Sequence, residues 1–191
     1  MNKYKVLETP AFLLQAKPWS ETSCIATVFS REYGLVAGIA KGAKRPYSVM
    51  RPILSHFQPL LISWSGKAEV KTITQADFDG FLAIPSKILM SGWYMNELLL
   101  RGLPKEDPHP IIFDEYTYAL ESLCAGIDER SVLRRFEWYL LKELGYGDSE
   151  VAPDFHDLSS ELALRQHLRA KIETYIFQYE LNTRKVVQSI R

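Results

Sequence analysis

Cysteine is scarce in this chain. Cys24 and Cys124 lie far apart with no cysteine near either, which excludes a disulfide framework and a cysteine zinc motif. Histidine is nearly as rare. His56, His109, His156 and His167 form no i,i+4 pair and no H-E-x-x-H, so no metal-ligating pattern is present. Phosphate-cradling glycines are missing as well. Gly42 lacks the G-x-x-x-x-G-K-[ST] frame and no G-x-G-x-x-G occurs, leaving no basis for nucleotide hydrolysis or dinucleotide binding. Ser20, Ser23 and Ser48 lack a G-x-S-x-G elbow and no His–Asp pair is nominated for them. The acidic pairs Glu106/Asp107 and Asp128/Glu129 fall at predicted helix starts, where the helix dipole favours negative charge. No apolar run approaches the ~18 residues that would span a bilayer. The patch Ala11–Leu14 is too short for the apolar region of a secretory signal. These absences predict a cytoplasmic, non-catalytic protein with no metal, no cofactor and no membrane contact.

Net charge is also absent, but only on average. The 23 Lys/Arg balance the 23 Asp/Glu over 191 residues. Residues 1–72 hold ten Lys/Arg against four Glu, and the remainder thirteen against nineteen acidic residues. Such a split points to two units, the basic one facing a polyanion.

What the sequence does contain divides in the same place. Alternating or β-branched apolar runs at Ala11–Lys17, Ser23–Ser30, Leu35–Ala40, Leu54–Ile62 and Glu69–Asp77 are separated by turn signals at Pro18, Glu32–Gly34, Lys41–Met50 and Ser65–Lys67. Five short strands suggest a small closed barrel such as an OB-fold, and an SH3-like barrel or a small sandwich fits the same spacing. From Pro85 the period becomes helical. The first helix ends at Pro104 and presents Leu89, Trp93, Leu100 and Leu103 on one stripe. The second, His109–Cys124, aligns Ile112, Tyr116, Leu120 and Leu123. The third starts near Asp128, stops at Gly145–Gly147, and turns Leu133, Phe136, Leu140 and Leu144 inward. A fourth runs from Ser160 to Phe177 and a short basic fifth from Thr183 to Arg191. The expectation is an α+β chain: a five-stranded barrel over residues 1–80, then an α-helical domain over 81–191.

Two groups of residues carry candidate chemistry. Arg31, Lys41, Lys44, Arg45 and Arg51 face Glu32 alone between residues 31 and 51. A flexible basic loop beside Tyr33, Tyr47 and Phe57 offers a single strand phosphate attraction and stacking surfaces; a solvated loop would have the same composition. In the third helix, Arg134 and Trp138 share one face while Arg135, Tyr139 and Lys142 share another. Surface cations beside a core tryptophan would read identically.

In order along the chain stand Phe12-Leu13-Leu14, Lys17-Pro18-Trp19-Ser20-Glu21-Thr22-Ser23, Phe29-Ser30-Arg31-Glu32-Tyr33-Gly34 and Ala40-Lys41-Gly42-Ala43-Lys44-Arg45. Gly66-Lys67-Ala68-Glu69-Val70-Lys71-Thr72, Tyr94-Met95-Asn96-Glu97-Leu98, and Leu133-Arg134-Arg135-Phe136-Glu137 with Leu144-Gly145-Tyr146 follow. Together they resemble the bacterial RecO family of recombination mediators, as far as about residue 147. The resemblance implies an N-terminal OB-fold that binds single-stranded DNA, and the basic loop with its ring supplies the expected contacts, Arg31, Lys41, Lys44, Arg45, Arg51 and Tyr47. It further implies annealing of complementary strands and work with RecR, a RecA-type recombinase and RecF. It also implies a helical domain that docks the acidic, phenylalanine-ended tail of single-strand-binding protein, through Arg134 and Trp138. Arg134 is then expected at a pocket rim with its guanidinium outward. Many members carry a four-cysteine zinc module after the helical segment. The stretch from Asp148 to Ser160 has no cysteine, so that lobe is expected to be reduced or absent. A protein-interaction adaptor whose barrel does not bind DNA is the competing expectation.

Overall fold

The first strand starts earlier than its apolar run suggests. The computed structural model describes residues 4–148, 151–157 and 159–176, and in it β1 runs Lys5–Pro18. Its first half is paired by β4 alone, because pairing with β2 begins only at Ala11–Ser30. Glu8, at φ +47, breaks the register there, and its amide donates to Ser63 Oγ at 3.0 Å. Pro10 and this bulge hide the strand from a period-2 search.

β2 (Cys24–Ser30) and β3 (Gly34–Ala40) form the expected hairpin. The fourth run is corrected. Arg51–Leu54 is a 3-10 turn that opens on Pro52 and sinks Ile53 completely. Phe57 then takes φ +62, which extended backbone does not allow, so β4 covers Pro59–Ser65 and not Leu54–Ile62. β5 is Val70–Phe78. The order β1-β2-β3-β5-β4, with β3 and β5 parallel and β4 returning to β1, closes the barrel, the five-stranded arrangement expected of an OB-fold. Inward side chains from every strand, among them Leu13, Val28, Val36, Ile62 and Ile73, fill it together with Ala43 and Ile53.

Two compact units divide the chain. Among the described residues, one holds those up to Ala83 together with Pro104–Phe113; the other holds Ile84–Leu103 and those from Asp114 onward. Within the first, the peptide of Glu106 donates to Leu35 O at 3.0 Å, and the Phe113 ring lies 5.4 and 5.5 Å from Phe12 and Phe29. A segment remote in sequence therefore belongs with the barrel.

The helices are α1 (Leu89–Gly102), α2 (Pro110–Cys124), α3 (Glu129–Glu143) and α4 (Glu161–Lys171), the last continued by a π-helical turn to Ile176. Asp128 caps α3 by accepting from the Arg130 amide. In α2, Ile112, Tyr116, Leu120 and Leu123 are all buried, as their spacing predicts. The stripe assigned to α1 is corrected at its start, where Leu89 and Trp93 are exposed while Ser91, Met95, Asn96 and Leu99 are buried; Leu103, its last member, is buried as expected. Polar side chains can occupy that inner face because each has a partner. Ser91 Oγ donates to Glu129, and Asn96 Oδ1 accepts from Tyr116 Oη at 2.6 Å. In α3, Leu133 and Leu144 are only half-buried, and the inner face includes Arg134 and Glu137. Phe177 and the expected fifth helix, Thr183–Arg191, lie outside the described residues.

Candidate nucleic-acid interface

The basic loop after β3 is anchored at its centre. Lys41 leaves the strand exposed, Gly42 turns at φ +69, and Ala43 is fully buried in the barrel core. The chain then meets the turn between β1 and β2. The Gly42 amide donates to Ser23 Oγ at 3.2 Å and the Lys44 amide to Thr22 O at 2.9 Å. Lys44 Nζ donates to Ser20 O at 2.9 Å. The turn itself is closed by Trp19 N–H to Ser23 O at 3.1 Å and by Ser23 N–H to Ser20 Oγ at 3.2 Å. Two loops are thus laced into one surface, and the flexible loop expected from the sequence is corrected to a tethered one. Its buried alanine and main-chain hydrogen bonds fix it.

An open depression of about 410 Å³ lies on that surface, lined by Trp19, Thr22, Ser23, Ile39, Lys41 and Arg45 among others. Trp19 leaves 62% of its surface in solvent. The sequence reading passed over Trp19, although a tryptophan inside the polar turn Pro18-Trp19-Ser20-Glu21-Thr22 has no apolar neighbours to pack on. The rings that reading did select divide. Phe57 is buried, and Tyr33 packs edge-on against buried Trp64 at 5.1 Å, so both serve the core. Tyr47 is fully exposed at φ +60, presented to solvent by a backbone conformation that non-glycine residues seldom adopt.

The expected cations are not all brought together. Lys41, Lys44 and Arg45 gather beside Trp19. Arg31 follows the opposite end of β2, since Cys24 pairs with Ala40 but Ser30 with Gly34; the seven-residue strand separates it by about 20 Å at roughly 3.3 Å per residue. Arg51 is exposed at the start of the 3-10 turn.

In the helical unit, Arg134 is corrected from a rim position to a buried one. Its side chain is 8% exposed, its Nη2 donates to Glu137 Oε1 at 2.9 Å, and its Nη1 lies 3.4 Å from Glu161. Because Leu133 is only half-buried, the helix is rotated and turns the next residue inward. Arg135 is held by Glu115 through two hydrogen bonds of 2.7 and 2.8 Å and stacks on Tyr118 at 4.3 Å. Trp138 is buried against Tyr139 and Phe155, with Lys142 Nζ 5.1 Å from its ring. Beside it is a hollow of about 300 Å³ lined by Trp138, Leu141, Val151 and Leu168, with His167 and Lys171 also on its wall. Both of these polar groups contact Asp148. Lys171 first, then His167, holds the Asp148 carboxyl below its usual range.

Comparison with known proteins places these features in a family. Residues 1–80 match the family model described as Recombination protein O N terminal, and residues 87–151 match Recombination protein O C terminal. A DNA repair protein RecO of Aromatoleum aromaticum is 48% identical over 147 residues, 76% of this chain and 61% of the relative. Another, of Cupriavidus pinatubonensis, is 42% identical over 189 residues, 98% of this chain and 62% of the relative. A third, of Cupriavidus metallidurans, is 46% identical over 146 residues, 76% of this chain and 49% of the relative. The chain therefore spans between about half and three-fifths of the length of these relatives. Two family models matched in order, over a closed barrel and the helices that follow it, establish that this chain belongs to the RecO family.

Proposed function

We propose that this chain is a non-catalytic recombination mediator in DNA repair that binds single-stranded DNA on the laced-loop face of its barrel and anneals complementary strands. The observation that carries the reading is the placement of exposed Lys41 and Arg45 beside exposed Trp19 on a tethered surface. Cations attract the phosphates, an aromatic ring accepts any base, and a pre-set loop lowers the ordering cost of binding. The described residues that line this surface belong to strands and turns and none to a helix, so affinity falls steeply with salt and varies little with sequence. The test is anisotropy of a labelled oligonucleotide titrated at two salt concentrations. Each neutralised phosphate contributes a log–log slope of about −0.7. Salt-insensitive or absent binding would favour the adaptor without DNA affinity.

The hollow beside Trp138 supports the second half of the reading, docking of the acidic, phenylalanine-ended tail of single-strand-binding protein. An apolar wall suits the ring, and Lys142, over the Trp138 ring, offers positive charge to the carboxylates, while Lys171 on the wall is shared with Asp148. Arg134 supports this site from inside the helix by holding Glu137 and Glu161. The reading also carries the partners that the family resemblance implies, RecR, RecF and a RecA-type recombinase, at the nucleoid. Titration with the tail peptide tests the docking; an unchanged affinity in Lys171→Ala combined with Lys142→Ala would remove it.

A further inference from the structure

We infer that Trp19 is the ring on which a base of the bound strand stacks, and that Lys44 is a positioning residue that holds it there and not a phosphate contact. The inference rests on the strand-binding reading and deepens it. Trp19 combines an exposed ring with a fixed backbone: its peptide N–H is bonded to Ser23 O, and the turn carrying it is closed a second time through Ser20 Oγ. A large aromatic carried on a fixed backbone and left in water is suited to stack on a base.

Lys44 reaches this turn twice. Its amide donates to Thr22 O and its ammonium to Ser20 O, each at 2.9 Å. Both groups are engaged by carbonyls of the residues flanking Glu21, so the ammonium is directed along the surface to the turn. The neighbour on its N-terminal side, Ala43, is sunk in the core, which roots this brace in the barrel. Lys41 and Arg45, on either side of the brace, line the same depression as Trp19 and have no ion-pair partner among the described residues. They are the groups placed to meet phosphates, whereas Lys44 sets the distance between those cations and the ring. Composition alone treats the three cations as equivalent; their hydrogen bonds separate them.

The experiment compares an oligothymidine with an abasic deoxyribose-phosphate oligomer of the same length and charge, using the full chain. Wild-type protein is expected to prefer the base-bearing oligomer by roughly five- to a hundredfold. Trp19→Ala is expected to abolish that preference while leaving abasic affinity and melting temperature unchanged, and Trp19→Phe to restore part of it. Lys44→Met is expected to weaken oligothymidine binding with an unchanged salt slope. Lys41→Ala and Arg45→Ala should instead each flatten the slope by about 0.7. Tight but equal wild-type binding to both oligomers would overturn the stacking role and leave strand binding intact, as would a preference that survives Trp19→Ala. A slope flattened by one phosphate in Lys44→Met would overturn its positioning role. Failure of the wild type to bind either oligomer would remove strand binding itself, and this inference with it.

Discussion

The ammonium of Lys71, buried in the barrel unit, lies 2.6 Å from the carboxylate of Glu106, far along the chain. Lys71 Nζ also donates to Ala68 O at 2.8 Å, and the adjacent Lys105 pairs with Glu69 at 2.6 Å. The loop between β4 and β5 is therefore tied to the segment that follows α1. Glu106→Ala leaves a buried ammonium without its counter-ion. Glu106 retains 27% exposure, so solvent screens part of the loss and about 2–3 kcal/mol is expected in urea unfolding. Glu69→Ala, which removes a fully exposed pair, is expected to change the midpoint hardly at all. Lys71→Met with Glu106→Leu should recover most of the single-variant loss, because no unpaired charge remains.

Gly34 provides a second test of the same junction. It sits at φ +67, and a Cβ there would come within 2.0 Å of Asp107 O. Gly34→Ala is expected to cost at least about 2 kcal/mol, combining left-handed strain with a backbone clash. Gly126, at φ +81 with nothing within 4 Å of its Cβ position, is the control. Gly126→Ala carries only the conformational penalty, about 1 kcal/mol. Equal thermal shifts in the two variants would show that the Asp107 segment yields freely.

For Arg134 the expected outcome follows from its burial. Arg134→Ala leaves the Glu137 carboxylate, itself 4% exposed, with the Tyr94 hydroxyl but no counter-ion, and is expected to destabilise the chain by about 3 kcal/mol. Peptide affinity should then fall together with stability, and Arg134→Lys should restore only part of each because it lacks the planar fork. A variant of wild-type stability that has lost the peptide alone would return Arg134 to the role of direct ligand.

Acid sensitivity in the barrel unit has one source in a half-buried imidazole. Burial pushes the His56 imidazole below its ordinary value, partly opposed by its hydrogen bond with the Leu13 backbone. The unfolded chain therefore takes up this proton at a higher pH than the folded one. Stability from the neutral form is complete above about pH 6.5 and is lost as pH falls from there through the lower folded value. Unfolding free energies measured from pH 7.5 to 5 should decline less steeply in His56→Gln. Parallel declines in the two proteins would assign the acid sensitivity to other groups.

The order of strands and helices, the cap at Asp128, the stripe of α2 and the family itself were legible in the chain. Each depends on neighbours a few residues apart or on runs of residue types. The buried face of α1 was not. Its Ser91 and Asn96 are inward only because Glu129 and Tyr116 meet them, and no local pattern records a partner supplied by another helix.

The candidate site divides along the same line. Sequence by itself determined that positive charge concentrates around residues 41–45 and that tryptophan and tyrosine lie near it. Tertiary structure alone decided which rings remain outside, sending Tyr33 and Phe57 to the core and leaving Trp19 and Tyr47 in solvent. It also decided which cations already have partners, engaging Lys44 with Ser20 and burying Arg134 against Glu137. The physical reason is that charge and ring type belong to one residue, whereas exposure and pairing belong to a place where distant segments meet.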